Sequence, residues 1–339
     1  MDTPPLGLPF EQPIFELETR IKKLEAPADN NAATIQEIRQ LKRQKNDLTK
    51  EIYSNLSPWQ TVQVARFKDR PHTTDYLSLV FDEFVELHGD KHFGDDRAIY
   101  TGFAKLDQYK VLVVGHEKGR TTKEKKSCFF GCAHPEGYRK AISKMRLAAK
   151  FGLPVICLID TPGAYPGIGA EERGQAQVIA ENMFTMSRLP TPIVCVVIGE
   201  GGSGGALGIG VGDRVAILEH AYYSVISPEG CAGIIWKSHE YAEQAAHALK
   251  FTSKDLLKLE VVDDIIEEPL GGAHRDHHKI ANMLKLYLMK TVRELMALPV
   301  DQLLDNRYER FRRIGVFLEE TEEQGGEEET EPQEVEVVS

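Results

Sequence analysis

The sequence feature that most constrains the fold is a cluster of glycines that follows an apolar segment. Eight of the 28 glycines lie between residues 199 and 212, in the run GEGGSGGALGIGVG. The preceding residues 192–198 are apolar enough to form a buried strand, and the residues from Ala206 onward favour a helix. Glycine has no Cβ, so backbone N–H groups in such a turn can approach a ligand closely, and a helix N-terminus favours negative charge. The run therefore predicts a turn that binds an oxyanion or a phosphate.

Apolar runs alternate with helical patterns over most of the chain. The predicted strands cover residues 98–106, 110–115, 154–159, 193–198, 215–218 and 222–226, and the predicted helices cover 137–150, 169–189 and 280–295. The first two strands are joined by a turn near Asp107. This alternation predicts an α/β fold with parallel crossovers and a site at the carboxyl ends of the strands.

Residues 1–56 predict a separate helical hairpin. Apolar residues recur at helical spacing in two stretches on either side of a polar break: Ile14, Leu17, Ile21 and Leu24, then Ile38, Leu41, Leu48 and Ile52. Residues 57–90 continue with a helical pattern that carries Tyr76, Phe81 and Phe84. The expected domains are the hairpin (1–56), a large α/β domain with C-terminal helices (57–318) and a tail (319–339).

The charge distribution excludes several classes of function. The net charge is −11, and ten glutamates of the tail account for almost all of it, so the body is nearly neutral. A nucleic-acid-binding protein would carry a basic face, and a segment rich in glutamate with no lysine or arginine is typical of a disordered tail. No apolar run approaches the ~18 residues of a membrane span, and the first residues do not resemble a secretory signal. A cytoplasmic protein is expected, with no nucleic-acid or membrane partner.

Two groups of residues are of the types that bind metals. Cys128 and Cys132 are four residues apart, but no second pair completes the four ligands that a zinc site needs. The loop 88–96 contains four further residues of metal-binding types: His88, Asp90, His92 and Asp95. A hydrogen-bonded turn is the favoured interpretation of this loop, and no metal site is predicted.

Three predicted strand ends carry loops with unusual residues. The first, 115–126, contains five basic side chains and is suited to a carboxylate or phosphate, although a solvated surface loop is an equally good interpretation. The second, 160–169, has tight turns that lead into a helix, and the third is the glycine run. Two successive glycine-bearing turns before helices predict two anion-stabilising pockets that face one cleft.

Two other interpretations of the glycine run remain open at this stage. Residues 199–204 fit the dinucleotide string GxGxxG, but the carboxylate of Glu200 within the turn would repel a pyrophosphate. Residues 201–205 fit GxSxG around Ser203, and Asp263 or Asp264 and then His274 follow in hydrolase order. A serine hydrolase that uses Ser203 is therefore the alternative function.

Four long motifs occur in one order along the chain: HPEGYRKA from residue 134, DTPGAYPG from 160, GEGGSGGAL from 199 and SPEGCA from 227. Together they resemble the alpha-subunit family of the bacterial-type acetyl-CoA carboxylase carboxyltransferase, over roughly residues 10–318. The resemblance implies a crotonase-like fold of ββα units and an α2β2 complex with a beta subunit. The implied reaction moves a carboxyl group from carboxybiotin, on a separate carrier protein that a biotin carboxylase loads, to acetyl-CoA, which becomes malonyl-CoA for fatty acid synthesis.

The resemblance also implies site residues. The backbone N–H groups of Gly204, Gly205 and Ala206 would form the oxyanion hole on the biotin side, and losing one such donor costs about 3–4 kcal/mol of barrier. Arg120 would reach the transferred carboxylate and Glu200 would orient the turn, although a structural salt bridge explains either residue equally well. The expected biotin-binding residues are Gly163, Tyr165, Gly167, Ile168, Gly204 and Gly205. Zinc is expected only on the beta subunit, and no His–carboxylate pair suggests a protein base.

Overall fold

The fold was analysed in a computed structural model, which describes residues 7–26 and 31–315. The tail predicted to be disordered, 319–339, lies outside the described residues. Within them, no helix has both the length and the apolar character needed to cross a membrane.

An eight-stranded mixed sheet forms the centre of the described chain. The strands are β1 (Asp82–Glu86), β2 (Ile99–Leu106), β3 (Tyr109–His116), β4 (Val155–Thr161), β5 (Ile193–Gly202), β6 (Arg214–Leu218), β7 (Tyr222–Ser224) and β8 (Asp264–Ile266). The order is β1-β2-β3-β4-β5-β6-β8, and β7 pairs with the end of β5. The pairs β1–β2 and β2–β3 are antiparallel, and the other pairs are parallel. The carboxyl ends of β3, β4 and β5 therefore lie at one edge.

Fourteen α-helices of the described residues surround this sheet. They are α1 (Gln12–Glu25), α2 (Ala32–Ser54), α3 (Pro58–Ala65), α4 (Thr73–Val80), α5 (Thr122–Ser127), α6 (Pro135–Lys150), α7 (Ile168–Glu172), α8 (Gln175–Ser187), α9 (Ser203–Leu207), α10 (Pro228–Ile235), α11 (Ala242–Leu249), α12 (Ser253–Lys258), α13 (His277–Met296) and α14 (Val300–Arg312). The sequence pattern predicted α6 and α13 to within a few residues.

The core lies on both faces of the central strands. Every residue of β4 and β5 is buried, as expected of parallel strands that helices cover on both sides. Tyr138 and Met145 of α6 are fully buried against this sheet. Gly152, two residues beyond α6, adopts a φ of +64°, which is the left-handed conformation that commonly ends a helix. The helix therefore stops where the sequence predicted.

Three element predictions need correction. The helix predicted for 169–189 is two helices, α7 and α8, because Gly174 between them has a φ of +80°. The segment 57–90 is not helical throughout, since Phe84 lies in β1, which pairs with β2. Strand β5 extends past Ile198 to Gly202, because β7 pairs with its glycine-rich end and Glu200 lies opposite Tyr222.

The predicted N-terminal hairpin is present, and it rests on this chain. Helices α1 and α2 pack on each other through Ile21, Ile38 and Leu41. The carboxylate of Glu11, just before α1, is buried and accepts hydrogen bonds from the Tyr53 hydroxyl of α2 at 2.9 Å and from Arg275 of the body at 2.7 Å. The domain limits at 56 and 318 stay predictions.

Candidate active site

The two glycine-bearing loops meet at the carboxyl ends of β4 and β5. These strands are parallel neighbours, and Thr161 at the end of β4 lies opposite Gly201. A Cβ on Gly205 would lie 2.5 Å from the backbone nitrogen of Ala164, and a Cβ on Gly202 would lie 2.2 Å from the carbonyl oxygen of Pro162. Such distances do not occur between real atoms, so only glycine allows the two backbones to touch.

The glycine turn passes from strand to helix at Ser203. This residue has a φ of +52°, which is strained for a residue with a side chain. The short helix α9 begins here, so the amides of Gly204 and Gly205, which lie in its first turn, have no carbonyl one turn earlier in the helix. Within the described part of the chain, neither of these two amides donates to a side chain or to a carbonyl outside α9. The turn can therefore offer backbone donors to a ligand.

A buried ion cluster lies beneath this turn. The Nζ of Lys118 contacts Oδ1 of Asp160 at 2.7 Å and also contacts the carboxylate of Glu200. The other carboxylate oxygen of Glu200 accepts from Arg66 Nε at 2.6 Å and from the Tyr222 hydroxyl at 2.6 Å. Burial alone would raise the pKa of Glu200, but Lys118 and Arg66 outweigh it and lower that pKa to about 2. Glu200 is thus a charged, buried group whose charge is paired with those of Arg66 and Lys118.

The loop after β4 places aromatic rings beside the turn. Tyr165 stacks on His134 with ring centroids 4.1 Å apart and an angle of 19° between the planes, and Phe129 packs edge-on against His134. A Cβ on Gly167 would lie 2.4 Å from the Tyr165 ring, so a side chain there would displace that ring. The side chain of Ile168 is 75% exposed. The structure therefore gathers the predicted biotin-binding residues of this loop at the same edge as Gly205.

An apolar cavity of about 980 Å³ opens next to the turn. Its lining includes Ser203, Gly204, Phe184, Leu207 and Phe311 of α14. Phe184 is 60% exposed. A cavity of this size and character suits a small organic ligand that approaches the backbone donors of the turn.

Arg120 occupies the loop after β3, as the sequence predicts, but its guanidinium pairs with the carboxylate of Asp75 in α4. The side chain is 38% exposed and makes no ion pair with the glycine turn among the described residues. The structural salt bridge, which the sequence left open for this residue, is present. Its role towards a carboxylate stays a prediction.

Comparison with known proteins decides the family. A family profile described as acetyl co-enzyme A carboxylase carboxyltransferase-like matches residues 7–315. The acetyl-coenzyme A carboxylase carboxyl transferase subunit alpha of Rhodopirellula baltica is 68% identical over 315 residues, 93% of this chain and 99% of that protein. The chain belongs to this alpha-subunit family. The Methylococcus capsulatus protein of the same name is 56% identical over 313 residues, 92% of this chain and 98% of that one.

Solved structures agree with this alpha-subunit assignment at the level of the fold. Transcarboxylase 12S has a TM-score of 0.52 at 23% identity, over 65% of this chain and 42% of that one. The geranyl-CoA carboxylase beta subunit of P. aeruginosa has a TM-score of 0.53 at 15% identity, over 72% of this chain and 46% of that one. The chain thus spans less than half the length of these two structural relatives. The predicted crotonase-like fold is confirmed.

The residues proposed for a serine hydrolase are not brought together. Asp263 pairs with Arg310, and Asp264 accepts the hydroxyl of Tyr287 at 2.8 Å. His274 is buried against Phe67, with ring centroids 4.7 Å apart, close to the Glu11 carboxylate of the hairpin. Ser203 lies instead in the lining of the apolar cavity. The hydrolase alternative is not supported.

The loop 88–96 is the hydrogen-bonded turn that the sequence favoured. One carboxylate oxygen of Asp90 accepts the backbone N–H groups of His92, Phe93 and Gly94 at 2.8 to 3.0 Å. No group of three or more His, Cys, Asp or Glu side chains in the described ranges is placed to hold a metal ion.

Two features of this edge were missed from the sequence. His72 Nδ1 lies 3.1 Å from the carboxylate of Glu117, so a buried His–carboxylate pair does exist. That carboxylate also accepts the amide of Gly119, which makes it part of the support for the loop after β3. The second feature is Lys118, which belongs to the ion cluster and not to an exposed basic patch. His72 and Glu117 are 45 positions apart, and this separation leaves no sequence signal for the pair.

Proposed function

We propose that the chain is the alpha subunit of an acetyl-CoA carboxylase carboxyltransferase and transfers a carboxyl group from carboxybiotin to acetyl-CoA. The observation that carries the proposal is the turn at Gly204 and Gly205, with free backbone donors beside an apolar cavity, in a chain of this family. Malonyl-CoA, the product, would supply fatty acid synthesis. The cytoplasm is the proposed location.

The amides of Gly204, Gly205 and Ala206 are proposed to stabilise negative charge on the ureido oxygen of biotin. Fixed donors aimed at a developing charge lower the barrier because they need no reorganisation during the reaction. His116 is neutral near pH 7, because burial, and then the nearby charge of Lys118, lower its pKa to about 3. The donors proposed at this turn are backbone N–H groups, which do not titrate in the working pH range.

The residues present fit biotin. The apolar cavity beside Gly204 can hold a ring and an aliphatic chain, and the loop at Gly163, Tyr165 and Ile168 borders the same turn. Carboxybiotin, when bound, supplies the carboxyl group. The chain's own contribution is to orient the ring by apolar contact and to place backbone donors at its oxygen.

The proposed complex is an α2β2 heterotetramer with a carboxyltransferase beta subunit. The beta subunit would hold acetyl-CoA and carry the zinc site. A biotin carboxyl carrier protein and a biotin carboxylase complete the set of partners. The Rhodopirellula baltica relative, which matches over 93% of this chain and 99% of its own length, supports a partner subunit, because its name calls it subunit alpha of a carboxyl transferase.

The experiment is to combine the chain with the beta-type subunit of its own genome and to measure malonyl-CoA decarboxylation that depends on biocytin. Activity is expected only with both chains, and Ser203→Ala should retain it because the hydroxyl has no assigned role. The proposal is wrong if the assembled complex transfers no carboxyl group. The hydrolase function would replace it if the chain alone hydrolyses a thioester and Ser203→Ala abolishes that hydrolysis.

A further inference from the structure

We infer that Lys118 is a positioning residue, whose ammonium group holds the two glycine-bearing loops of the site in register. Its Nζ lies 2.7 Å from Asp160 at the end of β4 and also contacts Glu200 within β5. The same Asp160 oxygen accepts the backbone N–H of Glu200 at 2.9 Å. One cation therefore joins the carboxyl ends of two neighbouring strands, and each strand leads directly into one loop of the site.

The charges around Lys118 show why a neutral residue could not replace it. Asp160 and Glu200 are both about 95% buried, and Lys118 is the ion-pair partner of Asp160 in the described part of the chain. Arg66 and the Tyr222 hydroxyl contact the other oxygen of Glu200 and do not reach Asp160. Both carboxylates contact the same Nζ. Without Lys118 they would face each other unscreened, and like charges that share one buried site repel strongly.

The backbone packing makes the site sensitive to that repulsion. Gly199, next to Glu200, has room for no Cβ, because Oδ1 of Asp160 would lie 2.6 Å from it. Gly205 touches the backbone of Gly163 and Ala164 in the same way. A separation of β4 and β5 ends would therefore move the Gly204 and Gly205 amides relative to the cavity. A displacement of about 1 Å in a reacting group can cost about 10²-fold in rate.

This inference rests on the proposed carboxyl transfer, so both are tested in one assay. The reconstituted complex is assayed for biocytin-dependent malonyl-CoA decarboxylation with wild type, Lys118→Met and Lys140→Met. Lys140 is a matched control, since its side chain is 1% exposed and contacts Asp95 and the carbonyl of Asp96, with no ion pair to a residue of either loop among the described residues. Lys118→Met should lower kcat about 100-fold with the KM for malonyl-CoA within about threefold, whereas Lys140→Met should lower Tm and keep kcat.

Two further variants guard against a folding defect. Lys118→Met combined with Asp160→Asn removes the repulsion between the two carboxylates and keeps the oxygen that accepts the Glu200 amide, so it should regain part of the kcat that Lys118→Met loses. Lys118→Ala should recover part of its kcat in millimolar ethylammonium, and Lys140→Ala should show no such response. An inactive wild-type complex would overturn the proposed function itself. An active wild type with normal kcat in Lys118→Met and in the double variant would overturn the positioning role alone.

Discussion

Gly205 shows how a single missing side chain sets the geometry of the site. A Cβ there would strike the backbone at Gly163 and Ala164, and backbone cannot rotate out of the way as a side chain can. Gly204 differs, since a Cβ would make an ordinary contact at 3.7 Å with Ile179. A side chain at residue 205 would therefore be directed against the neighbouring loop.

The first prediction compares these two glycines. Gly205→Ala should lower kcat of the complex about 100-fold, because the two loops must separate to admit the methyl group. Gly204→Ala should stay within about threefold of wild type. Steady-state rates and Tm of both variants check this. Equal rates for the two variants would show that the close approach of the loops has no part in the reaction.

Helix boundaries depend on a few residues with unusual backbone angles. Gly174 separates α7 from α8 with a φ of +80°, and a Cβ there would meet nothing closer than 3.7 Å. The sequence pattern of 169–189 continues across this position, so period alone could not reveal the break. Likewise, Glu200 pairs with β7 and makes the glycine-rich end of β5 a strand. That pairing is a tertiary contact, and no local pattern encodes it.

The second prediction follows from this backbone angle. Gly174→Ala should destabilise the protein by about 1 kcal/mol, because residues with a Cβ avoid left-handed angles. Gly94→Ala is the control, since Gly94 has no positive φ and a Cβ there would meet open space. Urea unfolding of both variants checks the difference. A Gly174→Ala protein as stable as the control would contradict the strain argument.

The third prediction concerns the attachment of the N-terminal hairpin. Glu11→Gln should destabilise the protein by about 2 kcal/mol. The substitution removes the negative charge of the carboxylate, which pairs with Arg275 and accepts the hydrogen bond of the Tyr53 hydroxyl. Glu18→Gln, which removes a more exposed partner of Arg275 at 3.3 Å, should cost much less. Equal losses in the free energy of unfolding would place the attachment elsewhere.

The pH dependence of that difference is the fourth prediction. Burial alone would raise the pKa of Glu11, but the nearby His274 ring, 3.9 Å away, and the hydrogen bond from Arg275 outweigh it and lower that pKa from 4.5 to about 2. Stability from a lowered carboxyl pKa is complete above 4.5 and is lost as the pH falls towards 2. The difference between wild type and Glu11→Gln should therefore shrink from pH 6 to pH 3.5. A constant or growing difference would contradict the assigned pKa.

At the scale of the whole molecule, the sequence predicts the α/β class and the position of the site. It does not predict the buried ion cluster that supports the site. The site could be found because its glycines must be contiguous in sequence to form a turn at the end of one strand. Its support could not, because Lys118, Asp160 and Glu200 come from three separate strand ends and meet only after the sheet forms. The same holds for His72 and Glu117.

The most direct measurement of the central claim is an experimental structure of the assembled complex with biotin bound. The account predicts that the backbone nitrogens of Gly204 and Gly205 lie about 2.7–3.1 Å from the ureido oxygen, with the ring in the cavity that Gly204 and Phe184 line. Biotin bound elsewhere, or amides of this turn directed away from its oxygen, would contradict the claim that the glycine turn binds the developing charge.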